Sequence, residues 1–151
     1  MHAALIAAAE AVPESLLTYK PTPAQLSFGQ IWDHLARANF GMCAGIGGTT
    51  PTPYTPWDTT KAMVKDSLVA RLKASFAACD AAFAKLDDSK LSEVVDMGFG
   101  KAPRATALFS YVYDITDHYS QVANYMRFKG LTPPSAVGRG GRRGEIGRAH
   151  V

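Results

Sequence analysis

Residues 105–134 read ATALFSYVYDITDHYSQVANYMRFKGLTPP, and this stretch predicts a long helix with a sharp end. Its apolar residues recur at alternating intervals of four and three, which places them along one seam of a helix in a bundle. The seam consists of Leu108, Val112, Ile115, Tyr119, Val122 and Met126. Gly130 is typical of a helix C-terminus, and the proline pair at 133–134 blocks continuation. We therefore predict a helix over residues 105–129 that packs against neighbouring helices.

Two helices are predicted nearer the start of the chain. Residues 2–12 are rich in alanine, the strongest helix former, and Pro13 ends the segment. Ser27 and Gln30 have the spacing of a capping box, in which each side chain satisfies a backbone N–H at the start of a helix. Apolar residues then follow at helical spacing until the glycine-rich residues 45–48, where we expect this helix to end.

A further helix is predicted to begin near residues 59–60, because helical apolar spacing continues as far as Leu86. The connections over residues 45–58 and 87–104 are long for a bundle, so we expect them to pack on its surface or to cover a site. No segment predicts a sheet. Together the four segments predict an all-α four-helix bundle with long connecting loops.

The composition fits one globular domain. Of the 151 residues, 47% are hydrophobic and 19% are charged, which is enough apolar surface for a core and too much for a disordered chain. No apolar run approaches the ~18 residues of a membrane-spanning helix, and the first residues lack the pattern of a signal peptide. We therefore expect a cytoplasmic protein with a bundle domain over residues 1–137 and no membrane partner.

The remaining residues, 138–151, are rich in glycine and arginine and are predicted to form a disordered tail. They carry the whole net positive charge of the chain, because basic and acidic side chains are equal in number over residues 1–137. Residues 145–151 look like a translated sequencing adapter, so we interpret the tail as non-native rather than as an arginine–glycine segment for nucleic acid. The charge therefore gives no argument for a nucleic-acid partner.

The two cysteines, Cys43 and Cys79, lie in predicted helices and show neither CxxC nor Cys/His spacing. We expect both to be small apolar core residues rather than reactive thiols. Such cysteines fit a cytoplasmic location.

Three side chains form a candidate metal site. Asp114 and His118 lie four residues apart in the last predicted helix and so share a face, and His34 lies at the edge of the apolar face of the second. Two imidazoles and one carboxylate with open positions suit iron(II), zinc or nickel. The plainer alternative is a histidine satisfied at the core edge and an Asp–His helix pair worth ~0.2–0.5 kcal/mol.

Three segments together resemble the DinB/YfiT-like family. Residues 27–35, SFGQIWDHL, resemble the start of the family's second helix, where a histidine supplies the first metal ligand. Residues 114–122, DITDHYSQV, are similar to its fourth-helix motif His-x-x-x-His-x-Gly-Gln, and residues 125–134, YMRFKGLTPP, to its characteristic ending. The resemblance extends over residues 13–136 and implies a four-helix bundle that can carry a divalent metal.

By position, the resemblance makes His34 and His118 two of the family's three histidine ligands, and Asp114 stands where the third histidine falls. The implied cofactor is a divalent metal, zinc, nickel, iron or manganese; a carboxylate is a harder ligand than imidazole and alters the metal preference. The family's first helix is long, whereas Pro13 comes early here. We therefore expect a truncated first helix and, from the apolar surface that this leaves, a homodimer.

The family resembled here includes thiol transferases that use low-molecular-weight thiols such as bacillithiol, and mycothiol-dependent isomerases. The resemblance therefore implies a metal-dependent enzyme that transfers such a thiol to a small electrophilic substrate, or one that hydrolyses its substrate. Tyr111, Gln121 and Tyr125 continue the polar stripe of the last predicted helix, so they are candidates to orient the substrate. The competing hypothesis is a catalytically silent binding or dimerisation module that has lost the metal triad. Asp114 favours this alternative, and the two retained histidines oppose it.

Overall fold

Four α-helices dominate the computed structural model, which describes residues 1–137; the predicted tail, residues 138–151, lies outside this range. The elements are α1 (His2–Ala11), α2 (Phe28–Gly47), α3 (Lys65–Phe83), β1 (Val94–Asp96), β2 (Lys101–Pro103) and α4 (Arg104–Phe128). The prediction of an all-α bundle of four helices is confirmed. Among the described residues, no helix combines the length and the apolar character that crossing a membrane requires.

α2 and α3 run parallel, as a hydrogen bond and a disulfide between them demonstrate. The Asn39 side-chain amide donates to the Ser75 hydroxyl (3.0 Å), and one turn further along both helices Cys43 is disulfide-bonded to Cys79. Both cysteines are buried in the core as predicted, but the expectation that they are ordinary unpaired core residues is wrong. Their spacing gave no signal of pairing, because only the packing of α2 on α3 brings the two positions together.

The connection over residues 48–64 is long because parallel helices require the chain to return to the end where α2 began. It returns along α2, where the Trp57 N–H donates to the Asp33 carboxylate (3.1 Å) and Met63 lies against Gly29. The expectation that this loop packs on the bundle is therefore confirmed.

α3 starts at Lys65, so the predicted start near residues 59–60 is wrong. The Asp58 carboxylate accepts hydrogen bonds from the backbone N–H (3.0 Å) and the hydroxyl (2.7 Å) of Thr60, which stabilises a turn at that point. Val64, which precedes the helix, is extended. Hydrogen bonding between a side chain and the nearby backbone competes successfully with the helix here.

The prediction that the chain forms no sheet is also wrong, because residues 94–103 form a β-hairpin. β1 pairs with β2 in antiparallel register, with Val95 opposite Ala102, and Gly98 adopts a positive φ of 87° in the turn. The Asp96 carboxylate accepts from the Gly98 N–H (2.8 Å). An aspartate two residues before a glycine was the turn signal available in the sequence. Val95 is buried, so the hairpin joins the core through this side chain.

α4 presents only part of its predicted seam to the core. The buried members are Ile115, Tyr119, Val122 and Met126. Val112, by contrast, leaves 53% of its surface exposed. An α-helix with 3.6 residues per turn drifts away from a strict 3.5-residue repeat, so a seam that faces the core at Met126 has turned outward two heptads earlier.

Two glycines of α2 give opposite predictions for the same substitution. A Cβ at Gly45 would overlap the backbone carbonyl of Asp96 in the hairpin, whereas a Cβ at Gly41 would make ordinary contact with the Met97 carbonyl oxygen at 3.9 Å. We expect Gly41→Ala to raise the free energy of unfolding by up to ~1 kcal/mol, because alanine is the better helix former. Gly45→Ala should lower it by ~1–3 kcal/mol, because the hairpin must move. Urea unfolding measures both, and stabilisation by Gly45→Ala would contradict the packing described.

Candidate metal centre

In the centre of the bundle, the middle of α4 lies opposite the first half of α2. The two helices run antiparallel: Arg104 at the start of α4 donates to the carbonyl oxygen of Ile46 near the end of α2. At the other end, the Tyr125 ring packs edge-on against Phe28, with 5.5 Å between the ring centroids. This direction places His34 of α2 level with the predicted ligands of α4.

The structure brings His34, Asp114 and His118 together. One ligand atom from each of the three lies within 4.8 Å of the other two. The His34 and His118 rings meet edge to face, with 4.8 Å between their centroids, and His118 Nε2 lies 3.5 Å from an Asp114 carboxylate oxygen. All three residues are partly buried, so they form a recessed cluster rather than a surface group.

Two polar atoms of the cluster lack the partners that buried atoms normally have. Asp114 Oδ2 and His118 Nδ1 are buried and have no hydrogen-bond partner among the described residues. Most buried polar atoms in folded proteins are paired, so each orphan needs an explanation. A divalent cation coordinated by a carboxylate and imidazoles gives one, because it supplies the positive charge that such a cluster lacks. The donor set therefore fits a metal.

The electrostatics around His34 also suit a metal ligand. Burial lowers the pKa of His34 below its usual value, the charge of a protonated His118 lowers this pKa further, and the Asp114 carboxylate opposes both effects. A histidine ligates through its neutral form. The lowered pKa of His34 therefore favours its neutral, ligating form.

A cavity of about 490 Å³ opens beside the cluster. His34 and Asp114 are among its polar lining residues, and its walls combine residues of α2, the hairpin and α4. The lining side chains include Ala38, Met42, Met97, Phe99, Ser110 and Tyr113. The expectation that the connection over residues 87–104 packs on the bundle or covers a site is confirmed here, although its hairpin was not predicted.

A second cavity, of about 330 Å³, lies on the other side of His34. The loop over residues 48–64 covers it with Pro56, Trp57 and Thr59. His34 and Arg37 line both cavities and so form the wall between them.

Asp33, which sequence reasoning did not single out, anchors this loop beside the site. Its carboxylate accepts hydrogen bonds from the Tyr54 hydroxyl and the Trp57 N–H and lies 3.7 Å from the Arg71 guanidinium. The guanidinium lies 5.4 Å from the centroids of the Tyr54 and Trp57 rings, within the range of cation–π attraction. Burial and then the bond to Asp33 raise the pKa of Tyr54 to about 12, so its hydroxyl remains a donor.

None of the three candidate substrate-orienting residues is among those that line the cavity of about 490 Å³. The Tyr111 hydroxyl lies 2.6 Å from His2 Nε2, and the Gln121 amide donates to Asp117 (2.6 Å) on the exposed side of α4. Tyr125 is buried among aromatic side chains at the far end of the bundle. On α4 the cavity is instead lined by Ser110, Tyr113 and Asp114.

Comparison with known proteins points to one family. The model of the DinB superfamily matches residues 1–122. A crystal structure of a DinB-like protein from Bacillus cereus superposes with a TM-score of 0.70 at 16% identity over 88% of each chain. A DinB-like protein from Bacillus subtilis gives 0.66 at 19% identity over 87% of each chain. At these identities the structures support the fold alone. None of the curated proteins matches this chain.

Proposed function

The chain belongs to the DinB superfamily, and on this basis we propose that it is a metal-dependent enzyme that transfers a low-molecular-weight thiol to a small electrophile. The observation that carries the proposal is the His34–Asp114–His118 cluster, which has unpaired buried ligand atoms and opens into a cavity of about 490 Å³. His34, Asp114 and His118 would hold the metal. A divalent metal in such a site supplies a Lewis acid that lowers the pKa of a neighbouring thiol or water molecule and so provides a nucleophile at neutral pH.

The other residues of the site provide binding and orientation. Met42, Met97 and Phe99 offer apolar contact to the electrophile and displace water from the cavity. In the reaction, the thiol sulfur forms a bond to the electrophilic carbon, the leaving group departs with the electrons of the bond that breaks, and the thiol proton passes to solvent. Holding two reactants side by side removes much of the entropy cost of bringing them together.

The second cavity favours thiol transfer over hydrolysis. A transferase must bind two organic reactants at once, whereas a hydrolase needs one substrate and water. The cavities of about 490 and 330 Å³ on the two sides of His34 supply two binding spaces next to one cluster. Hydrolysis remains the second candidate, because it uses the same ligands.

Parallel assays on zinc-loaded, tag-free protein test the proposal. We expect thioether formation from mercaptoethanol and chlorodinitrobenzene to proceed above the uncatalysed rate, to depend on added metal and to disappear in His34→Ala. Asp117→Asn, a change to an exposed acid close to the ligands on α4, should retain the activity. Metal-dependent cleavage of nitrophenyl acetate without thiol transfer would support the hydrolase. Absence of both metal binding and activity would make the silent module, which has lost the metal triad, the better account, and metal binding with neither activity would contradict the proposed chemistry.

A further inference from the structure

Arg37 holds an unusual position among the arginines of the structure. It lies one turn beyond His34 on α2, lines both cavities and is exposed. Arg71 and Arg104 each lie within 4.0 Å of a carboxylate, of Asp33 and Glu93 respectively. Within residues 1–137, Arg37 has no such ion pair. Its guanidinium is therefore a cation beside the cavities whose hydrogen-bonding groups are free for a ligand.

Two opposite charges line the cavity of about 490 Å³. Asp114 supplies a carboxylate, and Arg37 supplies a positive charge. Much of the remaining lining is formed by apolar side chains such as Met42, Met97 and Phe99. Arg37 attracts an anionic group and the apolar side chains accommodate an uncharged body, so the cavity suits a molecule that has both.

We propose that Arg37 determines substrate specificity at this site by binding a carboxylate of the electrophilic substrate. The inference rests on the proposed function, which it extends by naming the substrate class: a small amphipathic carboxylate. Its apolar body occupies the cavity of about 490 Å³, its carboxylate pairs with Arg37, and its uncharged reacting end points toward His34 and Asp114. A guanidinium suits this role because its planar fork matches the two oxygens of a carboxylate.

The test compares two unreactive probes of the same shape, phenylbutanoate and its neutral amide. Each is titrated by calorimetry and by NMR into wild type, Arg37→Met and Arg37→Lys, with Arg127→Met as a control on an exposed part of α4. We expect Arg37→Met to weaken binding of the carboxylate by about 10- to 100-fold, the range for loss of a charge-assisted hydrogen bond, and to leave the amide unchanged. Arg37→Lys should retain part of the preference, since it keeps the charge but loses the fork.

Each titration is carried out on both zinc-loaded and metal-free protein, because a carboxylate can also ligate a metal directly. Absence of zinc binding would overturn the proposed function, yet the metal-free titrations would still test Arg37. Equal weakening of both probes in Arg37→Met, an unchanged carboxylate affinity, or binding of neither probe to wild type would overturn the inference. If Arg37→Met instead changes the preference for charged over uncharged thiols and leaves the affinities for the two probes unchanged, Arg37 binds a carboxylate of the thiol. The assignment of that carboxylate to the electrophile is then wrong.

Discussion

His118→Ala is expected to lower the affinity of the protein for zinc by more than about 100-fold. Loss of an outer-shell partner of a metal ligand already costs ~10–100-fold, and His118 is proposed as a ligand itself. The substitution also removes Nδ1, one of the two buried atoms of the cluster that lack a hydrogen-bond partner among the described residues. Calorimetric titration with zinc, together with elemental analysis of tag-free protein, measures the effect.

Matched variants separate ligation from general damage. Asp114→Asn should weaken zinc binding, because it removes the negative charge and one oxygen donor. Asp117→Asn removes the same charge three residues away, where the carboxylate accepts a hydrogen bond from Gln121. This variant should bind zinc as wild type does. Urea unfolding in the presence of a chelator verifies that each variant is folded. Wild-type zinc affinity in both His118→Ala and Asp114→Asn would show that the cluster is not a metal site.

Reduction of the disulfide between Cys43 and Cys79 is expected to lower the free energy of unfolding by about 3–4 kcal/mol. The bond joins residues 36 apart in sequence, and a closed loop of this size restricts the unfolded chain by that amount in the chain-entropy description. Both cysteines are buried between α2 and α3, so the bond also holds the parallel pair together. Urea unfolding with and without a phosphine reductant measures the difference.

The Cys43→Ala, Cys79→Ala double variant serves as the control, since its stability should not respond to reductant. Zinc affinity should change little on reduction, because the metal cluster joins α2 to α4 rather than to α3. Two titratable thiols in unfolded, unreduced protein would contradict the disulfide. Disulfides persist mainly in oxidising compartments. The two cysteines, once paired, therefore no longer support the predicted cytoplasmic location.

The helices and half of the site were predictable because both depend on local spacing. Apolar periodicity and the Ser27–Gln30 capping box placed the start of α2 where the structure has it. Asp114 and His118 share a face whatever surrounds them, because residues four apart on a helix are neighbours. The position of His34 at the edge of the apolar face of α2 made it a candidate, but no spacing within α2 indicates which helix it will face; the resemblance assigned it as a ligand.

The sequence by itself determined four amphipathic segments, their approximate ends and an Asp–His pair on one helix face. Tertiary structure alone decided the parallel packing of α2 on α3, and with it the pairing of Cys43 with Cys79. It also decided that the hairpin at residues 94–103 lines the cavity of about 490 Å³ and that Arg37 lines both cavities beside His34. The physical reason is that periodicity specifies which side of a helix is buried, whereas the partner that buries it depends on packing between residues far apart in the chain.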